Sequence, residues 1–172
     1  MVFYDCEFTD LSPDSALLSI GLVAADSDAE LYIEIADADL RGSSDFVKEI
    51  VLPLFGRHAP EVLTRTASAA RIETWLDIMR GGDRQRQIQM IADSSWDWDH
   101  FLSLFPTRSP GEQAWTVEFN LVDRMVQHIL DLGRPGRTLE SAMATYHQQH
   151  GEQHHALVDA RALKLGWMAA KR

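Results

Sequence analysis

Read for its hydrophobic and polar positions, the chain opens with Val2-Phe3-Tyr4-Asp5-Cys6-Glu7-Phe8, a run of β-branched and aromatic residues that predicts a buried central strand. A turn-rich stretch from Thr9 to Ser15 follows, and Leu17-Leu18-Ser19-Ile20-Gly21-Leu22-Val23 then predicts a second strand. Asp26-Ser27-Asp28 is a turn, after which Glu30-Leu31-Tyr32-Ile33-Glu34-Ile35 alternates as a half-buried strand does. The links leave little room for crossover helices, so an antiparallel meander is expected.

The period then changes. Phe46, Val47, Ile50, Val51 and Leu54 recur at helical spacing, with Ser43 or Ser44 as cap and Gly56 past the end. A second helix is expected from about Thr66 to Arg80, with Ala69, Ile72, Leu76 and Met79 on one stripe. Gln87 to Ala92 predicts a short strand, Trp98 to Phe105 a helix stopped by Pro106, and Ala114 to Phe119 a further strand. Leu121 to Leu132 reads as an amphipathic helix, with Val122, Met125, Val126 and Ile129 on its apolar side. Helices from Thr138 through Tyr146 and from about Ala156 to Lys171 complete an α/β pattern.

Composition narrows the class. A chain of 172 residues with 45% hydrophobic side chains suits one domain over residues 1–172 with a sizeable core. The single Cys6 excludes an internal disulfide framework, and no apolar run has the flanks of a leader peptide. No stretch nears the roughly 18 uninterrupted apolar residues of a bilayer span. A cytoplasmic protein with no membrane role is therefore expected. The net charge of -10 argues against a broad basic surface for long duplexes. It leaves room for a short nucleic acid held by its end at a site whose acids are neutralised by cations.

Three segments carry candidate chemistry. Side chains alternate along a strand, so Asp5 and Glu7 point the same way, and two like charges at the end of a buried strand are costly unless a cation neutralises them. An oxygen-only pair suits a hard ion such as Mg2+ or Mn2+ rather than zinc. In His154-His155-Ala156-Leu157-Val158-Asp159-Ala160-Arg161-Ala162, Asp159 lies on or beside the packed face of the last helix. His154 stands in the loop before it, where an imidazole can deprotonate a water without ligating metal. Third, Asp93-Ser94-Ser95-Trp96-Asp97-Trp98-Asp99 gathers acids and aromatics directly after a predicted strand. Taken singly, each also reads as a polar strand end, a surface histidine or a solvated loop.

Together the three segments resemble the DnaQ-like DEDDh family of 3'-to-5' exonucleases. Asp5-Cys6-Glu7 matches the family's Asp-x-Glu on the first strand, and His154 through Ala162 matches its His, four residues, Asp, continued by Ala-Arg-Ala. Asp93 through Asp97 matches the second motif, with Asp93 in the place of the family's Asn and Trp96 in that of Phe or Tyr. Asp99 also follows a tryptophan, which leaves Asp97 and Asp99 as alternatives.

The resemblance implies an RNase-H-like mixed sheet, three antiparallel N-terminal strands plus parallel strands, flanked by helices. It implies that Asp5, Glu7, Asp97 and Asp159 hold two divalent metal ions, Mg2+ or Mn2+, with His154 as general base. The substrate would be the 3' end of single-stranded RNA or DNA, its bases stacking on Phe8 and on Trp96 or Trp98. RNA is favoured because the chain resembles small bacterial exoribonucleases of that family. A homodimer is a further expectation, with Leu121 to Leu132 as its candidate surface. Two other readings stand beside this one: a module of the same fold that only binds, and a structural α/β protein whose acids are merely solvated.

Overall fold

Alternation along the first strand divides the molecule into layers. The computed structural model describes residues 1–105, 121–125 and 136–171. Its strands are β1 (Val2–Phe8), β2 (Leu17–Ala24), β3 (Glu30–Ile35), β4 (Glu61–Leu63), β5 (Ile88–Ala92) and β6 (Leu121–Met125). They form one sheet in the order β4-β3-β2-β1-β5-β6. The β1, β2 and β3 meander is antiparallel as expected, whereas β4 runs parallel to β3, β5 to β1, and β6 to β5. The chain is thus an α/β protein with a mixed sheet flanked by helices.

Val2, Tyr4 and Cys6 face one layer, where they share a core with Ile72, Trp75 and Leu76 of α1 (Arg65–Met79) and Phe101 of α2 (Ser95–Ser103). Phe3 faces the other, against Leu139 of α3 (Gly136–His150) and Leu157, Ala160, Leu163 and Trp167 of α4 (Ala156–Ala170). Asp5 and Glu7 share the parity of Phe3, so the strand's own periodicity turns both acids toward the α4 layer.

Two glycines set how closely that layer approaches. Gly21 of β2 is the register partner of Asp5. A Cβ on it would lie 2.5 Å from the Leu157 nitrogen and 2.5 Å from the Leu157 Cα, so the first turn of α4 rests directly on the β2 backbone. At Gly166, a Cβ would meet Met143 Cγ at 2.9 Å and the Leu139 carbonyl oxygen at 3.0 Å, which is where α3 and α4 press together.

Several elements differ from the sequence reading. Leu121–Met125 is a strand, not the start of a helix; it pairs along the whole of β5, from Ile88↔Leu121 to Ala92↔Met125. Short apolar runs are ambiguous in period, and the ladder of β5 needed a partner on its second edge. The dimer surface expected there loses its helical basis over these residues, while 126–132 and the strand expected at 114–119 lie outside the described residues. β4 went unforeseen, since three residues carry too little alternation to read.

The helical run after Ser44 is a π-helical turn, Val47–Val51, tightening into a 3-10 turn, Leu52–Leu54. Pro53 lacks the N–H that regular α-helical bonding would require there. Finally, α2 begins at Ser95 rather than Trp98, because Ser94 caps it by accepting the Trp96 N–H at 3.1 Å. Asp97 is thereby moved into the first helical turn. Among the described residues no helix is long and apolar enough to cross a membrane.

Candidate active site

The ends of β1 and β5 meet the N-termini of α2 and α4 at a cleft of about 680 Å³. Asp5 and Glu7 enter it from β1, Asp93 from the end of β5, Asp97 from α2, His147 from α3, His154 from the loop before α4, and Asp159 from the first turn of α4. Asp5, Asp93 and Asp97 each offer a carboxylate oxygen within 4.8 Å of the others'. Glu7, His154 and Asp159 bring ligand atoms together within the same 4.8 Å. The cleft therefore collects all five residues expected to carry chemistry.

Asp97 is held from across the sheet. The Cys6 backbone N–H donates to its Oδ1 at 3.1 Å, and the Cys6 thiol lies 3.7 Å from its carbonyl oxygen. The residue is 2% exposed, yet its Oδ2 is buried with no hydrogen-bond partner. Asp99 is exposed and belongs to neither ligand group, so the geometry brings in Asp97 and leaves Asp99 out.

Asp159 holds the opposite wall. Its Oδ2 accepts the His154 backbone N–H at 2.9 Å, while its buried Oδ1 takes no hydrogen bond and lies 3.4 Å from His147 Nε2. That bond steadies a backbone that needs it, because His154 has φ of 69°, a left-handed conformation costly for a residue with a Cβ. The His154 ring stands edge-on to Phe46 with centroids 4.9 Å apart. His155 packs instead on Tyr32 at 4.4 Å, and burial lowers its pKa to about 4.

Crowding dominates the electrostatics. Burial, then the charges of Asp97, Asp159, Glu7 and Asp93, raise Asp5 well above the usual carboxylate range. Burial and then Asp159 and Asp97 push Glu7 to about 8. Burial and then Asp93 raise Asp97, against the pull of the Cys6 and Ser94 N–H groups. Asp159 rises to about 7 through burial, eased by the His154 N–H. His154 is shifted the other way, its pKa lowered by burial, which keeps the imidazole neutral and able to accept a proton. Such a set of acids is poorly matched to the metal-free state and suits cations. Five converging carboxylates, those of Asp97 and Asp159 each with a buried oxygen that takes no hydrogen bond, are a donor set that hard divalent ions fit.

Asp10, Ser44, Ser94 and Gln153 add further polar lining, and an apolar part of the wall is built from Phe8, Leu11, Phe46, Val47, Val51 and Met143. Phe8 lines it but is also stacked on His100 at 4.3 Å. Trp96 is not among the residues that line the cleft; it packs on Phe8, which is, with centroids 6.5 Å apart. Trp98 likewise packs into the core on Tyr4 and Phe101. Leu11 is 72% exposed and Phe46 49% exposed, so they form the open apolar rim. Sequence reasoning missed Leu11, His147 and the ligand placement of Asp93, and read Phe46 only as one position of a helical pattern. An apolar residue in a turn-rich loop was the one signal that pointed to Leu11.

No protein-family model matches this chain, and a search of curated proteins finds no match either.

Proposed function

We propose that this chain is a metal-dependent 3'-to-5' exonuclease with an RNase-H-like fold, resembling the DnaQ-like DEDDh family and acting on single-stranded nucleic acid, RNA in preference. The observation that carries the reading is the convergence of Asp5, Glu7, Asp97, Asp159 and His154 on one cleft, with a buried carboxylate oxygen of Asp97 and one of Asp159 that take no hydrogen bond. The mixed sheet with its antiparallel first three strands supports the fold assignment. The apolar rim of Leu11 and Phe46 supports a substrate whose bases can lie against it.

Asp5, Glu7, Asp97 and Asp159 would hold two divalent ions, Mg2+ or Mn2+. When bound, these supply charge neutralisation for the attacking and leaving oxygens of an in-line phosphoryl transfer. The neutral His154 imidazole takes a proton from the attacking water. The water oxygen bonds to phosphorus as the bond from phosphorus to the 3' oxygen breaks. A nucleoside 5'-monophosphate leaves, and the departing 3' oxygen takes a proton from solvent, so the shortened strand ends in a 3'-hydroxyl. His154 is held where it can act because Asp159 fixes its backbone N–H.

The test is digestion of matched 5'-labelled single-stranded RNA and DNA oligonucleotides with Mg2+ or Mn2+, beside EDTA and Asp5→Ala controls. A ladder shortening from the 3' end, absent in both controls and faster on RNA, is expected. Intact oligonucleotides with folded, Mn2+-loaded protein would overturn the assignment in favour of a module that binds without cutting.

A further inference from the structure

The pairing of β1 with β5 brings a fifth acid into the cleft. The parallel register Val2↔Met90 and Phe3↔Ile91, continued by two residues, sets Asp93 level with Asp5. Asp93 then closes a group with Asp5 and Asp97 in which all three carboxylates lie within 4.8 Å. The group is aimed at something, because Asp97 is 2% exposed and its Oδ2 is buried without a partner. An amide at position 93 would offer a neutral carbonyl oxygen; Asp93 adds a full negative charge. Three oxygen donors without nitrogen or sulfur fit a hard divalent cation.

We propose that Asp93 is a third carboxylate ligand for the cation held by Asp5 and Asp97, an inference that rests on the metal-dependent reading above. The cleft then holds this oxygen-only group on one side and the carboxylates of Glu7 and Asp159 on the other, with His154 beside them as the base. The rival role for Asp93 is that of counter-charge to His147, whose imidazole favours the ionised form of Asp93.

Calorimetric titration of the full chain with Mn2+ separates these roles, using Asp93→Asn, His147→Gln, the double variant and Asp99→Asn. Asp93→Asn is expected to weaken Mn2+ binding by about tenfold or more, in the wild-type and the His147→Gln backgrounds alike, while Asp99→Asn binds as wild type does. Unchanged affinity in Asp93→Asn overturns the proposal. So does a loss that vanishes in the His147→Gln background, which would make Asp93 a partner of that imidazole only. A wild-type chain that binds no Mn2+ would overturn the metal reading and this inference together, which keeps the two failures distinct. Melting in EDTA guards against misfolding: Asp93→Asn removes a crowded charge and is expected to melt no lower than wild type.

Discussion

Gly21→Ala puts the docking of α4 to a direct test. The added Cβ would lie 2.5 Å from both the nitrogen and the Cα of Leu157, and 2.6 Å from the carbonyl carbon of Ala156. Carbon atoms rest comfortably at about 3.5–4.0 Å, so the helix must withdraw by about 1 Å, and the obstructing atoms are backbone that cannot rotate away. Overpacking of this kind costs about 1–3 kcal/mol, with the upper end expected here. For a domain of this size each kcal/mol lowers the melting temperature by about 2–4 °C, giving a fall of about 6–12 °C. The same withdrawal carries Asp159 and the His154 loop away from Glu7. Mn2+ affinity, measured at a temperature where the variant is folded, should therefore fall as well. Gly42→Ala is the control, since nothing lies within 4 Å of its would-be Cβ. A Gly21→Ala protein that melts with wild type and binds Mn2+ equally well would refute the claim that this glycine seats the site.

Metal-free protein should lose stability as pH rises. Glu7 is raised from 4.5 to about 8 and Asp159 from 3.8 to about 7, so between about pH 4 and pH 8 the folded state binds protons that the unfolded state has released. The melting temperature in EDTA should accordingly be higher at pH 6.5 than at pH 8, a window above the range in which the lowered His154 and His155 add stability with rising pH, and saturating Mn2+ should remove or reverse that slope; a slope of the opposite sign there without metal would contradict the crowding. Asp97→Asn should cut metal-dependent cleavage by about 100-fold or more while Asp99→Asn leaves it near wild type, and equal losses would reopen the choice between them. His154→Ala should lower kcat by about 100- to 10,000-fold yet keep the rise in melting temperature on adding Mn2+. Loss of that rise would make His154 a ligand rather than a base.

Much of the site was legible because its geometry is local. The shared face of Asp5 and Glu7 follows from strand parity alone, and the placing of His154 in the loop before Asp159 follows from helical spacing. What escaped depends on partners far along the chain. Asp93 sits beside Asp5 only through the parallel register of β1 with β5, and choosing Asp97 over Asp99 needed the Cys6 N–H from across the sheet. His147 lies just beyond the apolar pattern that ended at Tyr146, whereas the helix continues to His150. The strand at Leu121–Met125 was misread because its pairing with β5, not its own period, decides its conformation. That Trp96 packs on Phe8 was equally hidden, since the two lie 88 positions apart in the chain.

The seating of α4 on β2 also has a consequence in time. Asp5 and Glu7 belong to the first strand and Asp159 to the last helix, so during synthesis the acid pair leaves the ribosome long before the element that completes the cleft. At translation speeds of about 5–20 residues per second the interval is on the order of ten seconds. Throughout it the nascent chain carries half a site. A cleft assembled this way stays incomplete until α4 has been made and has docked on β2.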